Sequence, residues 1–283
     1  ARVGLRAERS SLMNKAELAP RISLGYRFND GGQVNLAYGK FYQQPGTMFL
    51  LRDRNISFSN ADHYIINYQK KAGNRLLRIE GYYKKYNNLI TTKPEISNDG
   101  DGYAKGVELF FRDKKTFKNF DYWITYTYLD TKRKFLDYPY RLQPDFSTPH
   151  TATIAIKRFF QAINFNANLS YTFATGRPYY NIQTNELGKP YIYDFGTTNN
   201  YSGLSLSFAY LFSMFKNWKN KDFSGIGVGV NNVFGRKQVF GYSYNQNGTN
   251  KVPIMLPAAR TFYFGIFMSF GTDRRDDFIN ENL

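Results

Sequence analysis

The sequence predicts an all-β fold, a transmembrane antiparallel β-barrel to which this chain contributes about twelve strands. Three observations carry that prediction. First, Thr261 to Phe270 alternates over the length of a bilayer-spanning strand. Phe262, Phe264, Ile266, Met268 and Phe270 fall on one face, and Tyr263, Gly265, Phe267 and Ser269 on the other. Second, aromatics make up 18% of the 283 residues, with 24 Tyr and 26 Phe. That excess suits girdles at two membrane interfaces better than a water-soluble core. Third, the connections between strand-like segments alternate between short and long along the whole chain.

Composition narrows the alternatives. There is no run of about 18 apolar residues, which excludes helical spans. A closed barrel is the other structure that satisfies its own backbone in hydrocarbon. With no cysteine there is no disulfide framework, Cys zinc site or thiol nucleophile. A net charge of +16 suits a nucleic-acid partner in principle. Here the basic residues are spread along the chain without a recognition motif, so no nucleic-acid partner is expected. A barrel wall carrying Arg and Lys, in a membrane with anionic head groups, accounts for the same charge. No secretory leader opens the chain, because Arg2 already begins a strand; either the mature protein starts here or a segment lies upstream.

Taken in order, the first strand is Arg2 to Glu8, with Val3, Leu5 and Ala7 opposing Arg2, Gly4, Arg6 and Glu8. Pro20 to Phe28 sets Ile22, Leu24 and Tyr26 against Arg21, Ser23, Gly25 and Arg27. Gln33 to Tyr42, Asp62 to Lys70 and Arg75 to Tyr86 follow, the last opposing Leu77, Ile79 and Tyr83 to Arg78, Glu80, Tyr82 and Lys84. Ala104 to Arg112, Asp121 to Asp130, His150 to Phe159 and Ile163 to Phe173 continue the pattern. In the ninth, Phe165, Ala167, Leu169, Tyr171 and Phe173 face away from Asn164, Asn166, Asn168, Ser170 and Thr172. Tyr201 to Phe212, Ser224 to Val233 and Thr261 to Phe270 complete twelve segments, and no convincing amphipathic helix interrupts them.

The connections decide between a soluble sandwich and a membrane barrel. Asn29 to Gly32, Lys71 to Asn74, Lys114 to Asn119, Phe160 to Ala162 and Phe215 to Asp222 read as short turns. Between them lie longer connections, Arg9 to Ala19, Gln43 to Ala61, Asn87 to Tyr103, Thr131 to Pro149, Ala174 to Asn200 and Phe234 to Arg260. A sandwich has no reason to keep its long loops at one end, whereas outer-membrane barrels do so with short periplasmic turns. On that reading the C-terminus lies on the periplasmic side. The inward face then carries Arg2, Arg6, Glu8, Arg21, Arg27, Arg78, Glu80, Lys84, Glu108, Arg112 and Lys157. These charges read either as mutual ion pairs of a lumen wall or as contacts to a lumenal plug or solute. Arg78, Glu80, Glu108 and Arg112 are the lumen-wall positions singled out.

Local patterns resemble the C-terminal half of TonB-dependent outer-membrane receptors, most closely those of Bacteroidetes-type bacteria. The residues are Leu18 to Leu24, Val34 to Pro45, Gly106-Val107-Glu108-Leu109, Gly176-Arg177-Pro178-Tyr179-Tyr180, Asn231 to Gly235, and Pro257 to Thr261 before a terminal aromatic strand. Each is weak alone; six in order across nearly the whole chain are specific together. The resemblance implies a barrel of about 22 strands filled by an N-terminal plug. It makes this chain the last twelve strands, with Glu108 pointing into the lumen, and the plug and the TonB-engaging segment outside it. An isolated set of twelve would leave two bare edges, so a larger protein or a completing chain is expected. The family usually ends near its final aromatic residue, read by assembly machinery, here Phe270. Gly271 to Leu283 departs from that pattern and is expected to be a periplasmic extension beyond a barrel segment spanning 1–270.

Most other chemistry is set aside. His63 and His150 are the only histidines, both expected at the outer interface, and neither has a Cys or second His nearby to make a metal or catalytic site. Glu95, Asn98, Asp99 and Asp101 form a polar cluster, but Gly100 and Gly102 make a turn the simpler reading than a calcium site. Tyr138, Tyr140, Tyr179, Tyr180, Tyr191, Tyr193, Tyr242 and Tyr244 gather in the last three long loops, with Arg133, Arg141 and Arg177 near them. They read as an interfacial girdle with loop packing, or as a ligand surface, since tyrosine gives large contact area at low entropic cost.

The function expected is TonB-dependent import of a nutrient across a bacterial outer membrane, without enzymatic chemistry, cofactor or metal. Ligand contacts are expected at Tyr179, Tyr180, Arg177, Tyr242 and Tyr244. Expected partners are the outer membrane and its lipopolysaccharide, the TonB complex reached through a plug, and a surface lipoprotein or other complex partner. The alternative is a complete twelve-stranded barrel serving as a passive pore or anchor.

Overall fold

The computed structural model describes residues 1–212, 222–245 and 248–270. Its strands are β1 (Arg2–Ser10), β2 (Lys15–Arg27), β3 (Gly32–Gln43), β4 (Ser59–Ala72), β5 (Arg75–Thr91), β6 (Ser97–Asp113), β7 (Phe120–Lys134) and β8 (His150–Phe160). They continue as β9 (Phe165–Ala174), β10 (Pro178–Thr184), β11 (Pro190–Thr197), β12 (Tyr201–Phe212), β13 (Asp222–Asn231), β14 (Val239–Tyr244), β15 (Lys251–Met255) and β16 (Thr261–Phe270). A single-turn helix, α1 (Thr47–Leu50), lies between β3 and β4. Twelve strands form one antiparallel sheet in the order β1-β2-β3-β4-β5-β6-β7-β8-β9-β12-β13-β16. β10–β11 and β14–β15 are separate two-stranded hairpins inside the two longest connections. Among the described residues, β1 and β16 are each paired on one side only.

The period of two survives across the apolar band of the sheet because the register slips no face there; the shifts between β5 and β6 lie beyond it. One row runs Leu24, Leu36, Ile66, Gly81, Val107, Tyr128 from β2 to β7. The adjacent row on the opposite face runs Asn35, Asn67, Glu80, Glu108, Thr127, Thr151 from β3 to β8. A shift by one residue anywhere would turn a strand's apolar set into the polar face. The apolar face is the open one: Val3, Ile66 and Phe262 are 77%, 54% and 75% exposed. In water such a surface is a liability; against lipid it is the surface that belongs there.

Burial lies at the ends of the strands instead. At the long-connection end Met13, Leu50, Ile56 and Phe58 form a small core, with Tyr42, Phe49, Ile90 and Ile96 against it. α1 serves chiefly to place Leu50 in that core. At the short-turn end, carboxylates tie the chain. Asp113 accepts from the backbone N–H groups of Lys115 (2.6 Å) and Thr116 (2.9 Å) and from Arg75 Nε (2.9 Å). Asp121 takes a two-pronged contact from Arg112 (2.8 and 2.5 Å). Both carboxylates are buried, and buried charge is tolerable only when paired in this way.

Several expectations need correction. The connections from Ala174 to Asn200 and from Phe234 to Arg260 are not plain loops, since each holds a hairpin; Tyr191, Tyr193 and Phe195 alternate along β11 as a strand does. The expected long connections Arg9 to Ala19 and Asn87 to Tyr103 are largely strand, because β1, β2, β5 and β6 run beyond the apolar band. β5 and β6 reach 17 residues each, with bulges where the ladder shifts between Tyr86 and Leu89 and between Leu89 and Thr91. Gly100 and Gly102 therefore sit in β6 and make no turn. They are needed there by close approach: a Cβ on Gly102 would lie 2.5 Å from the Lys132 carbonyl oxygen and 2.8 Å from Arg133 Cα. The start of the ninth segment, Ile163, belongs to a 3-10 turn, Gln161–Ile163. Most of the turn expected from Phe215 to Asp222, and all of the extension 271–283, lie outside the described residues.

Gly102→Val should weaken the β6–β7 ladder by about 1–3 kcal/mol through overpacking. The full-length protein should then show a reduced heat-modifiable band on unheated gels, whereas Gly4→Val, where an added Cβ meets nothing within 4 Å, should leave the band unchanged.

Candidate ligand-binding site

The two hairpins stand together over the long-connection end. Asn181 Nδ2 donates to the Gly248 carbonyl (2.9 Å), and Tyr244 OH donates to Asp194 Oδ2 (3.0 Å). Lys251 Nζ donates to Tyr179 OH (2.5 Å) and lies 3.5 Å from Asp194 Oδ2. The same ammonium sits 3.7 Å from the Tyr179 ring centre and 4.4 Å from that of Tyr242, whose rings meet edge-on at 4.6 Å. A cation between two aromatic faces is attracted by both quadrupoles. β10–β11 and β14–β15 are thus held to one another by a Lys–Tyr–Asp knot.

Beside the knot lies a polar cleft of about 340 Å³. One wall is the β7–β8 connection, with Asp137, Tyr138 and Asp145; the other is built from Tyr180, Asn181 and Gln183 of β10 and Tyr244, Asn245 and Gly248 of the second hairpin. Tyr138 is buried, its ring 5.6 Å from that of Tyr180, and its hydroxyl accepts from the Asp145 backbone N–H (3.2 Å). Burial first, and then the nearby Asp145 carboxylate, push the Tyr138 phenol up. Burial likewise raises Tyr180, and burial together with donation to Asp194 raises Tyr244. All three are neutral phenols at physiological pH. The Lys251 ammonium is pushed up first by its hydrogen bond to Tyr179, so it stays charged. Among the described residues the lining contains two carboxylates, amides and phenols, and no Lys or Arg.

The tyrosines expected to contact ligand therefore divide. Tyr180 and Tyr244 meet in the cleft, while Tyr179 and Tyr242 are committed to Lys251. Arg177 lies elsewhere, its guanidinium 5.5 Å over Phe240 and its backbone N–H on Thr198 Oγ1 (2.9 Å). Arg141 is paired with Asp101 and Arg133 lies 4.1 Å over Tyr86, so neither arginine faces the cleft. Asp137, Asp145, Asn181, Asn245, Asp194 and Lys251 were not singled out from sequence. The hairpin turn Asn185 to Lys189, with Gly188 at φ 71°, was the available signal for β10–β11, and with it for the placement of Asn181 and Asp194.

On the inward face Glu80 lies directly opposite Glu108, with Asn67 Nδ2 3.4 Å from Glu80 Oε2. Neither glutamate is in an ion pair among the described residues. Arg78 faces Gln69 and Phe110, whereas Arg112 belongs to the Asp121 pair at the short-turn end. His63 faces inward, opposite Gly39 and Lys84, with Phe41 at 4.5 Å, and so does not join the lipid-side girdle. His150 does sit on the outward side, its Nδ1 2.8 Å from Tyr126 OH. The acidic cluster is spent on cations of the chain, Asp99 on Lys134 (2.8 Å) and Asp101 on Arg141. Among the described residues no group of three or more potential ligands could hold a metal.

Comparison with known proteins gives a family model, described as TonB dependent receptor-like, beta-barrel, that matches residues 1–233. Solved structures of similar fold include the outer membrane transporter YddB from Escherichia coli, with TM-score 0.73 and 14% identity over 95% of this chain and 42% of that one. The ferric yersiniabactin uptake receptor FyuA from Yersinia pestis gives 0.65 and 14% over 91% and 38%. The siderophore receptor PiuA from Acinetobacter baumannii gives 0.66 and 11% over 90% and 36%. The chain thus spans about two fifths of the length of these structures. No curated protein matches the sequence.

Replacing Lys251 by Ala should unlock the hairpins. Hydrogen exchange of backbone amides in 178–197 should speed up several-fold, while Lys189→Ala, a change in the turn of β10–β11 away from the knot, should leave the rates as they are.

Proposed function

Because this chain belongs to the TonB-dependent receptor-like β-barrel family, we propose that it forms the C-terminal wall of a receptor that imports a nutrient across a bacterial outer membrane. TonB supplies the energy through a plug outside this chain. The family match over residues 1–233 carries the reading. Support comes from a wall with apolar residues outside and polar ones inside, with β1 and β16 open for further strands. The alternative, a closed twelve-stranded pore, requires β1 to pair with β16, and the described residues show no such pairing.

In this reading the cleft between the hairpins and the β7–β8 connection is the outer ligand site. Tyr180 and Tyr244 make contact, and Tyr179 and Tyr242 hold the cleft's second hairpin in place. Phenols, amides and carboxylates without a cation suit a neutral, hydroxyl-rich ligand better than an anionic chelate. Glu80 and Glu108, opposed without a cation between them, are positions for the plug to supply one. The short turns and the C-terminus face the periplasm, the long connections face outward toward lipopolysaccharide and any surface lipoprotein, and the protein has no covalent chemistry of its own.

Ligand uptake by cells producing the whole receptor tests this reading. Tyr180→Ala with Tyr244→Ala should weaken ligand binding on the order of tenfold through lost aromatic contact, and loss of TonB should abolish uptake. Uptake continuing at the normal rate without TonB would overturn the proposal.

A further inference from the structure

The five short turns carry charge out of proportion to their length. Read from the sequence, they hold seven lysines against two aspartates, Asp30 and Asp222. Lys216, Lys219 and Lys221 of the last turn lie outside the described residues and enter by sequence alone. Arg75 and Arg112, which flank the second and third turns, are spent on Asp113 and Asp121, and Lys70 is spent on Asp30 at 2.6 Å. Among the described residues Lys71, Lys115 and Lys118 are exposed and have no carboxylate within ion-pair distance. Successive turns stand two strands apart in the sheet, about 10 Å. The turn end of the wall is therefore a collar of repeated, unanswered positive charge.

A cavity of about 420 Å³ opens in this collar between the turn joining β4 to β5 and the turn joining β6 to β7. Lys71, Arg75, Arg112 and Lys114 line it together with Gln69 and Asn74, and among the described residues its lining holds no Asp or Glu. The two turns are fixed to each other. Lys114 N–H donates to the Asn74 carbonyl (3.0 Å), and Arg75 Nη2 donates to Thr116 Oγ1 (2.7 Å). Burial, and then the Arg112 guanidinium, push the Lys114 ammonium down, and Asp121 at 3.9 Å opposes them only in part. A carboxylate entering beside Lys114 relieves that repulsion.

Placement and spacing select the occupant. Lys71 and Arg112 stand in one row on the inward side, the side of Glu80 and Glu108, where leaflet lipid does not reach. A single small anion answers one cavity and leaves the other turns unmatched. A polymer with a carboxylate in each repeat answers the cavity and the neighbouring turns at once, with the gain that several linked contacts bring. We propose that the short-turn collar docks on a carboxylate-bearing glycopeptide polymer, the kind that makes the cell wall beneath an outer membrane, with one carboxylate seated between Lys71, Arg112 and Lys114. The inference rests on the reading that the short turns face the periplasm, and it stands whatever ligand the receptor imports.

Co-sedimentation of the full-length receptor, in detergent, with insoluble cell-wall sacculi reads the outcome. The other probes are the same sacculi with their carboxylates converted to neutral amides, and phosphatidylglycerol vesicles. The wild type should sediment with untreated sacculi, and about tenfold less with amidated ones or in roughly 1 M salt, where charges are screened beyond about 3 Å. K71Q/K115Q/K118Q should lower retention on the order of tenfold, from about twofold for each exposed ion pair lost. Lys189→Gln should change nothing. Equal retention by amidated and untreated sacculi, or undiminished retention of the triple variant with a normal heat-modifiable band, would overturn the docking surface. Vesicle binding that the triple variant loses more steeply than sacculus binding would assign the collar to leaflet lipid and overturn it as well. Lys118→Cys separates this inference from the orientation it rests on. Labelling by a membrane-impermeant maleimide in intact cells would put the short turns outside and overturn both. Without labelling, failure to bind sacculi overturns the docking surface alone and leaves TonB-dependent import standing.

Discussion

In hydrocarbon a strand's amide groups have no water to fall back on, so every ladder must be closed by a neighbour. That constraint sets the rest of this structure. It forces a sheet in which each strand lies antiparallel to its neighbour, with the hairpins β10–β11 and β14–β15 set outside the wall, and it makes register a global property, since one slip would move a strand's Phe, Ile and Leu into the lumen. From Val3 paired with Ile22 to Val228 paired with Phe264, apolar residues remain on one side. The hydrophobic effect does not hold this wall together in the usual way, because its largest apolar side chains face outward. The ladders bind the strands, and lipid answers the apolar face.

Packing is therefore displaced to the two ends, where water returns. At the short-turn end the solution is electrostatic, with Asp113 and Asp121 buried and bound by backbone N–H groups and arginines. At the other end it is a small hydrophobic core around Leu50 and Phe58, followed by polar locks between hairpins. The candidate cleft forms where those locks leave a gap between Tyr180, Tyr138 and Tyr244. Tyr180 and Tyr244 are each carried by a hairpin that Lys251 and Asp194 hold to the other.

The barrel wall was legible in the sequence because it is built from the one signal a sequence displays directly, the period of two. Tyr201–Phe212 and Thr261–Phe270 are strands with the very bounds the alternation shows. Strand ends outside the bilayer were not legible, since above the apolar band the alternation breaks, as in Asn87 to Thr91, where Leu89 and Ile90 are adjacent and the ladder shifts. The hairpins were hidden for a related reason: Tyr179 and Tyr180 are adjacent, and the bulge between Asn181 and Ile182 breaks the alternation. For the site, the aromatic half could be read from the tyrosine content of the loops. The acidic half could not, because Asp137, Asp145 and Asp194 come from segments that meet only through the fold.

The charge balance shows how the same composition serves three solvents. Of the cations that make the chain basic, Arg75 and Arg112 are tied to carboxylates at the turn end. Arg78 and Lys84 lie on the inward face with Glu80 and Glu108. Lys40, Lys85 and Lys132 stand on the outward rim beyond Tyr38, Tyr64 and Tyr83. The division follows from physical cost. Arginine with its fixed fork occupies the buried two-pronged pair at Asp121. Lysine, a strongly hydrated charge on a flexible apolar stem, is placed where the stem can lie along the lipid-facing surface while the ammonium reaches the head-group layer.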